Sequence, residues 1–113
     1  SVHLACGELA SAGLRQQLMI DFSHANSSKQ FQRQMDVGAD VAAQVAGGDT
    51  RIIGAMIESH LNAGRQDMVA GQPLEYAKSI TDACIGWDDT VPLLRLLADA
   101  VKKRRLTVPA DEE

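Results

Sequence analysis

The sequence predicts an α/β fold: two parallel strands joined by a helix, with further helices flanking them. Three observations predict it. Residues 51–58, Arg51-Ile52-Ile53-Gly54-Ala55-Met56-Ile57-Glu58, are β-branched and nearly continuous in apolar character. Such runs belong to strands covered on both faces, as in parallel sheets packed between helices. A shorter run of the same kind, Leu18-Met19-Ile20-Asp21-Phe22-Ser23, precedes it. Between the two, Phe31, Met35, Ala39, Ala42 and Val45 recur at steps of three and four, the spacing of one helix face. Strand, long helix, strand is the βαβ unit, whose crossover is right-handed.

The remaining elements follow in chain order. Residues 2–12 read as a helix, with Val2, Cys6, Leu9 and Ala12 near helical spacing and Gly13 where a left-handed terminal residue is wanted. The central helix spans residues 29–46, with Ser27 or Ser28 as the cap whose hydroxyl accepts from a free first-turn amide. Gly47-Gly48 ends it, and Asp49-Thr50 makes the turn. Residues 62–79 are polar and glycine-rich with Pro73, a long connection of the kind that is functional or disordered. Trp87-Asp88-Asp89-Thr90 opens the last helix. Asp89 or Thr90 would cap it, Pro92 would sit in its first turn, and Leu93, Leu96, Leu97, Ala100 and Val101 form its stripe. Lys102-Lys103-Arg104-Arg105 fall at its end, where cations oppose the negative pole of the helix dipole. Residues 107–113 read as a disordered tail, and the whole of 1–113 as a single domain fragment.

Composition narrows the function. Eleven Lys and Arg against fifteen Asp and Glu leave a net charge of −4, which speaks against a general nucleic-acid or anionic-membrane binder. Aromatic residues are 4% of the 113, too few for a base-stacking platform. No apolar run approaches the roughly 18 residues of a membrane span. Cys6 and Cys84 lie far apart without a ligand-type pair spacing, so a reducing cytoplasm is expected rather than a secreted disulfide framework. The chain opens on Ser-Val-His-Leu without an initiator Met, so a piece of a longer chain, or one with residues removed, is expected.

Candidate chemistry collects at the strand ends. His24 follows the first strand and Glu58 ends the second, and parallel strands put both ends on one side of the sheet, where α/β proteins bind ligands. The loop carrying Asp82 leaves from that side. One imidazole and two carboxylates suit Mn²⁺, Fe²⁺, Co²⁺ or Zn²⁺, with positions left open for water or a substrate oxygen. A histidine at a strand end is also commonly a hydrogen-bonded structural residue, and a glutamate there the first solvated position. His60 could share the side of Glu58 if the strand continued, but reads as a polar residue at the start of a loop; His3 reads as exposed; Cys84, close to Asp82, could approach a metal but reads as an inert packing residue. Ser23 and Ser27 show no triad order. Asp88-Asp89 is helix-start chemistry, and Gly47-Gly48 matches no phosphate-binding pattern.

Three motifs carry a resemblance. Asp21-Phe22-Ser23-His24-Ala25-Asn26-Ser27-Ser28-Lys29, Ile57-Glu58-Ser59-His60-Leu61 and Lys78-Ser79-Ile80-Thr81-Asp82-Ala83-Cys84-Ile85-Gly86-Trp87 resemble, in order and spacing, signatures of the type I 3-deoxy-D-arabino-heptulosonate 7-phosphate (DAHP) synthases. The resemblance implies the C-terminal part of a (β/α)₈ TIM barrel, the last quarter to third of an enzyme that condenses phosphoenolpyruvate with erythrose 4-phosphate and releases phosphate. That reaction is the first step of the shikimate pathway to aromatic amino acids. The resemblance assigns His24, Glu58 and Asp82 as ligands of a divalent metal, with His24 and Asp82 also catalytic. The family's fourth ligand, a cysteine, matches neither Cys6 nor Cys84. A full barrel needs about 200–250 residues at least, so the chain alone is expected to be inactive. It would need the missing N-terminal part of the barrel, or would form a homo-oligomer. The alternative is a non-catalytic oligomerising fragment that contributes the metal-site half; a small independent metal-binding domain has little support.

Overall fold

The structure is a computed structural model that describes residues 1–27 and 30–107. Helix α1 spans Val2–Ser11, where Ser1 Oγ accepts from the Leu4 amide at 3.2 Å. It ends at Ala12, and Gly13 takes φ 74°, the left-handed value expected of it. Strand β1, Leu18–Asp21, pairs in parallel with β2, Ile52–Met56, with Ile20 opposite Ala55 and Asp21 opposite Met56. Helix α2, Arg33–Ala46, makes the crossover. Helix α3, Trp87–Thr107, packs along α2. The core is Phe22, Val41, Ala42, Val45, Ile52, Ile85, Leu93 and Ala100. Among the described residues no helix is long and apolar enough to cross a membrane.

Several expectations are corrected. Helix α2 starts at Arg33 rather than near residue 29. Its cap is Gln32, with no side-chain bond, because His24–Ser27 form a separate short 3₁₀ turn; Ser28 and Lys29 lie outside the described residues. The buried face of α2 is Gln34, Gly38, Val41, Ala42 and Val45, while Ala39 is exposed. Ala42 and Val45 are shared with the expected face, and Phe31 and Met35 pack partly buried against the core, so only Ala39 departs from it; Gly38 is the residue that meets Leu93 of α3. Strand β2 is shorter than residues 51–58 and is not covered on both faces: Ile53 is 61% exposed, and Met19 on β1 is 66% exposed.

Helix α3 begins at Trp87, so Pro92 lies inside it rather than in its first turn. Thr90 sends its hydroxyl to the Gly86 carbonyl at 2.8 Å instead of capping an amide, and Leu96 faces solvent. Arg104 does more than oppose a dipole: its Nη1 donates to the carbonyls of Asp49 and Ile52, tying the end of α3 to the α2–β2 turn. Thr107 belongs to α3 and donates to the Arg104 carbonyl, so the tail expected over 107–113 does not include it; residues 108–113 lie outside the described residues.

Candidate functional site

The chain leaves β1 at Asp21 and turns at once. Asp21 accepts from the Ser23 amide at 2.8 Å and from the Ser23 hydroxyl, while Asn26 Nδ2 donates to its carbonyl at 2.6 Å. His24 takes φ 51°, a left-handed value that histidine, asparagine and aspartate adopt more readily than other side chains. This turn aims the imidazole along the strand end. Its Nδ1 lies 2.9 Å from Asp21 Oδ2, and its Nε2 lies 3.2 Å from Asp82 Oδ2 and 3.9 Å from Glu58 Oε1.

Glu58 is held from behind. Gln34, fully buried on α2, donates Nε2 to the Glu58 carbonyl at 3.0 Å and accepts from the Glu58 amide at 2.9 Å. A buried amide with no partner would cost about 1–3 kcal/mol, so this reciprocal pair fixes Glu58 and satisfies Gln34 together. The Glu58 carbonyl also accepts from Ile85 at 3.0 Å, so the segment after β2 is bonded to the segment before α3.

Residues 62–79 are an irregular but internally bonded loop. Gln66 Nε2 donates to the carbonyls of Glu75 and Lys78, its Oε1 accepts from the Glu75 amide, and Asn62 Nδ2 donates to Tyr76 O. Asp82 follows this loop and closes the group.

The structure therefore brings together all three residues expected at the strand ends. One ligand atom each from His24, Glu58 and Asp82 lies within 4.8 Å of the others. They open on a cleft of about 300 Å³ that Ser23, Phe31, Arg65 and Thr81 also line. Protonation follows the geometry. The bond with Asp21, then that with Asp82, raises the His24 imidazole above its ordinary value. The hydrogen bond from Ser23 holds Asp21 below the usual carboxylate range. Burial, followed by the neighbouring Asp82, pushes Glu58 up, while its hydrogen bonds with Glu58 and His24 hold Asp82 down.

Other candidates stay outside. His60 accepts from the Leu61 amide at its own Nδ1, and His3 is exposed on α1. Cys84 is buried, its Sγ 3.4 Å from the Asp82 carbonyl, and burial pushes its thiol up. Ser23, by contrast, lines the cleft and serves the Asp21–His24 turn, its Oγ 2.9 Å from His24 Nδ1. The sequence reading missed Asp21, Gln34 and Arg65. A carboxylate three residues before a candidate ligand was the available signal for Asp21.

Comparison with known proteins decides the family. Residues 2–95 match the profile of the DAHP synthetase I family. The chain belongs to this family. It is 67% identical over 97 residues to the Escherichia coli K12 protein named phospho-2-dehydro-3-deoxyheptonate aldolase, Phe-sensitive, covering 86% of this chain and 28% of that one. It is 53% identical over 104 residues to the Haemophilus influenzae phospho-2-dehydro-3-deoxyheptonate aldolase, covering 92% and 29%. The solved phospho-2-dehydro-3-deoxyheptonate aldolase of Francisella tularensis SCHU S4 superposes with a TM-score of 0.85 at 41% identity, covering 91% of this chain and 30% of that one. The chain thus spans under a third of the length of these DAHP synthetase I relatives. The matches establish that share and do not bear out the expected C-terminal placement.

Proposed function

We propose that the chain is the metal-binding portion of a DAHP synthase, part of a (β/α)₈ barrel that joins phosphoenolpyruvate to erythrose 4-phosphate. The observation that carries the reading is the meeting of His24, Glu58 and Asp82, from three separate segments, at one end of a parallel strand pair. The donor set fits a divalent cation of the Mn²⁺, Fe²⁺, Co²⁺ and Zn²⁺ group. Asp21 engages Nδ1 and leaves Nε2 turned toward two carboxylates, the arrangement usual for metal-binding histidines. Lewis-acid polarisation of an aldehyde oxygen is the chemistry such a cation supplies when bound.

In the reaction, C3 of phosphoenolpyruvate bonds to the aldehyde carbon and the aldehyde oxygen takes a proton. Water adds at C2, and loss of phosphate from that carbon leaves a ketone. Asp82 orients the aldehyde, its Oδ2 3.2 Å from His24 Nε2; with a cation bound, both atoms would be ligands and Nε2 would carry no proton. Arg65 is the one lysine or arginine among the described residues lining the cleft. Two phosphorylated substrates need more cationic partners than that, so this chain alone is incomplete.

Isothermal titration of the folded chain with Mn²⁺ should give saturable binding tighter than millimolar, markedly weakened in Glu58→Ala. A folded chain without saturable binding removes the metal reading. A phosphate-release assay with both substrates should show no turnover from the chain alone. Clear turnover would overturn the incompleteness. The exposed Met19 and Ile53 favour a second reading, a non-catalytic piece that acts by associating.

A further inference from the structure

The segment carrying Asp82 is bonded at both ends to residues 64–66. At its start, the Gln66 amide donates to the Ser79 carbonyl at 2.7 Å. At its end, Gly64 and Cys84 exchange both backbone bonds, at 2.8 and 3.1 Å. Between these clamps lies an arch of Ile80, Thr81, Asp82 and Ala83. The Arg65 side chain bonds to the arch. Its Nε donates to the Thr81 carbonyl at 2.9 Å and its Nη2 to Asp67 Oδ1 at 2.7 Å, and Arg65 lines the same cleft as the three ligand candidates. Asp21 and Gln34 brace His24 and Glu58; Arg65 is the corresponding brace beneath the third residue.

We propose that Arg65 is a positioning residue for Asp82, holding the crown of the 79–84 arch so that the carboxylate faces His24. The proposal rests on the metal-site reading for its consequence in binding, but not for its consequence in loop order. A planar fork presenting two donors in fixed directions suits the task, because one must reach a carbonyl while another is anchored on Asp67. A lysine keeps the charge and loses the fork.

Two measurements on the intact chain test it. In the first, Mn²⁺ affinity is titrated for Arg65→Met and Arg65→Lys, each with Asp82 present and with Asp82→Asn. With Asp82 present both variants should bind Mn²⁺ about tenfold more weakly. In the Asp82→Asn background the change should stay within about twofold, because a residue that acts through Asp82 has nothing left to position. Equal losses in both backgrounds, no loss with Asp82 present, or full rescue by lysine would overturn the proposal. In the second, ¹⁵N relaxation is measured in chelator. Arg65→Met should loosen Thr81, Asp82 and Ala83 while the Gly64 and Cys84 amides stay unchanged. If the parent chain binds no Mn²⁺, the metal reading fails, and the relaxation experiment still decides Arg65: an unaltered arch would overturn it.

Discussion

Asp21 sits at the last position of β1, its backbone still in register with Met56, while its carboxylate already belongs to the turn that follows. That double position couples strand to site. A carboxylate behind a metal-binding imidazole fixes the ring and its tautomer and raises its basicity. Asp21→Asn keeps the shape and removes the charge. It should weaken Mn²⁺ binding about tenfold with little change in fold, as calorimetry would show; unchanged affinity would leave Asp21 a turn residue only. His24 and Glu58 were legible in the sequence because a strand end is marked where apolar character gives way to polar. Asp82 needed the motif as well. Gln34 was not legible: it lies among polar helix residues, and only the approach of the segment after β2 makes it a buried partner of Glu58.

The two long helices meet where a side chain is missing. A Cβ on Gly38 would lie 2.3 Å from Leu93 Cδ1 and 3.3 Å from Phe22 Cε2. Gly38→Ala gains about 1 kcal/mol of helix propensity. Against it stands an overpacking cost of about 1–3 kcal/mol, at the upper end here because Leu93 and Phe22 are themselves fully buried. Net destabilisation is expected in urea titration, and a stabilised variant would show that α3 can shift. The same contact explains why the helix faces were legible except for single positions such as Ala39: periodicity finds a stripe, whereas the approach of a second helix selects which glycine or alanine faces it. At the other end of α2, Arg51 donates Nε and Nη2 to Asp49, each at 2.9 Å, and holds its carboxyl below the usual range. A lowered folded pKa gives stability that is present above the unfolded aspartate value of about 3.9 and is lost as pH falls through the folded one. Stability should therefore decline in acid below about pH 4, and Asp49→Asn should shrink that part of the decline.

Over the whole molecule the radius of gyration is 17.1 Å and the extents are 61 × 31 × 19 Å. A compact domain of this length would have a radius near about 13 Å. Two strands give one layer, with α2 and α3 against it, and no further strand pairs with either edge among the described residues. Met19 and Ile53 stay open to solvent on the strand pair. Unpaired parallel edges with apolar side chains are templates for association. Exposed apolar area contributes about 25 cal/mol per Å² once covered, so association gains from the Met19 and Ile53 side chains as well as from the edge hydrogen bonds. Light scattering on the chain should give a mass above that of one subunit, and Ile53→Lys should shift it toward the monomer, because a charge on the sheet resists burial without a partner. A monodisperse monomer with an intact thermal transition would show instead that α2 and α3 suffice to hold two strands in water.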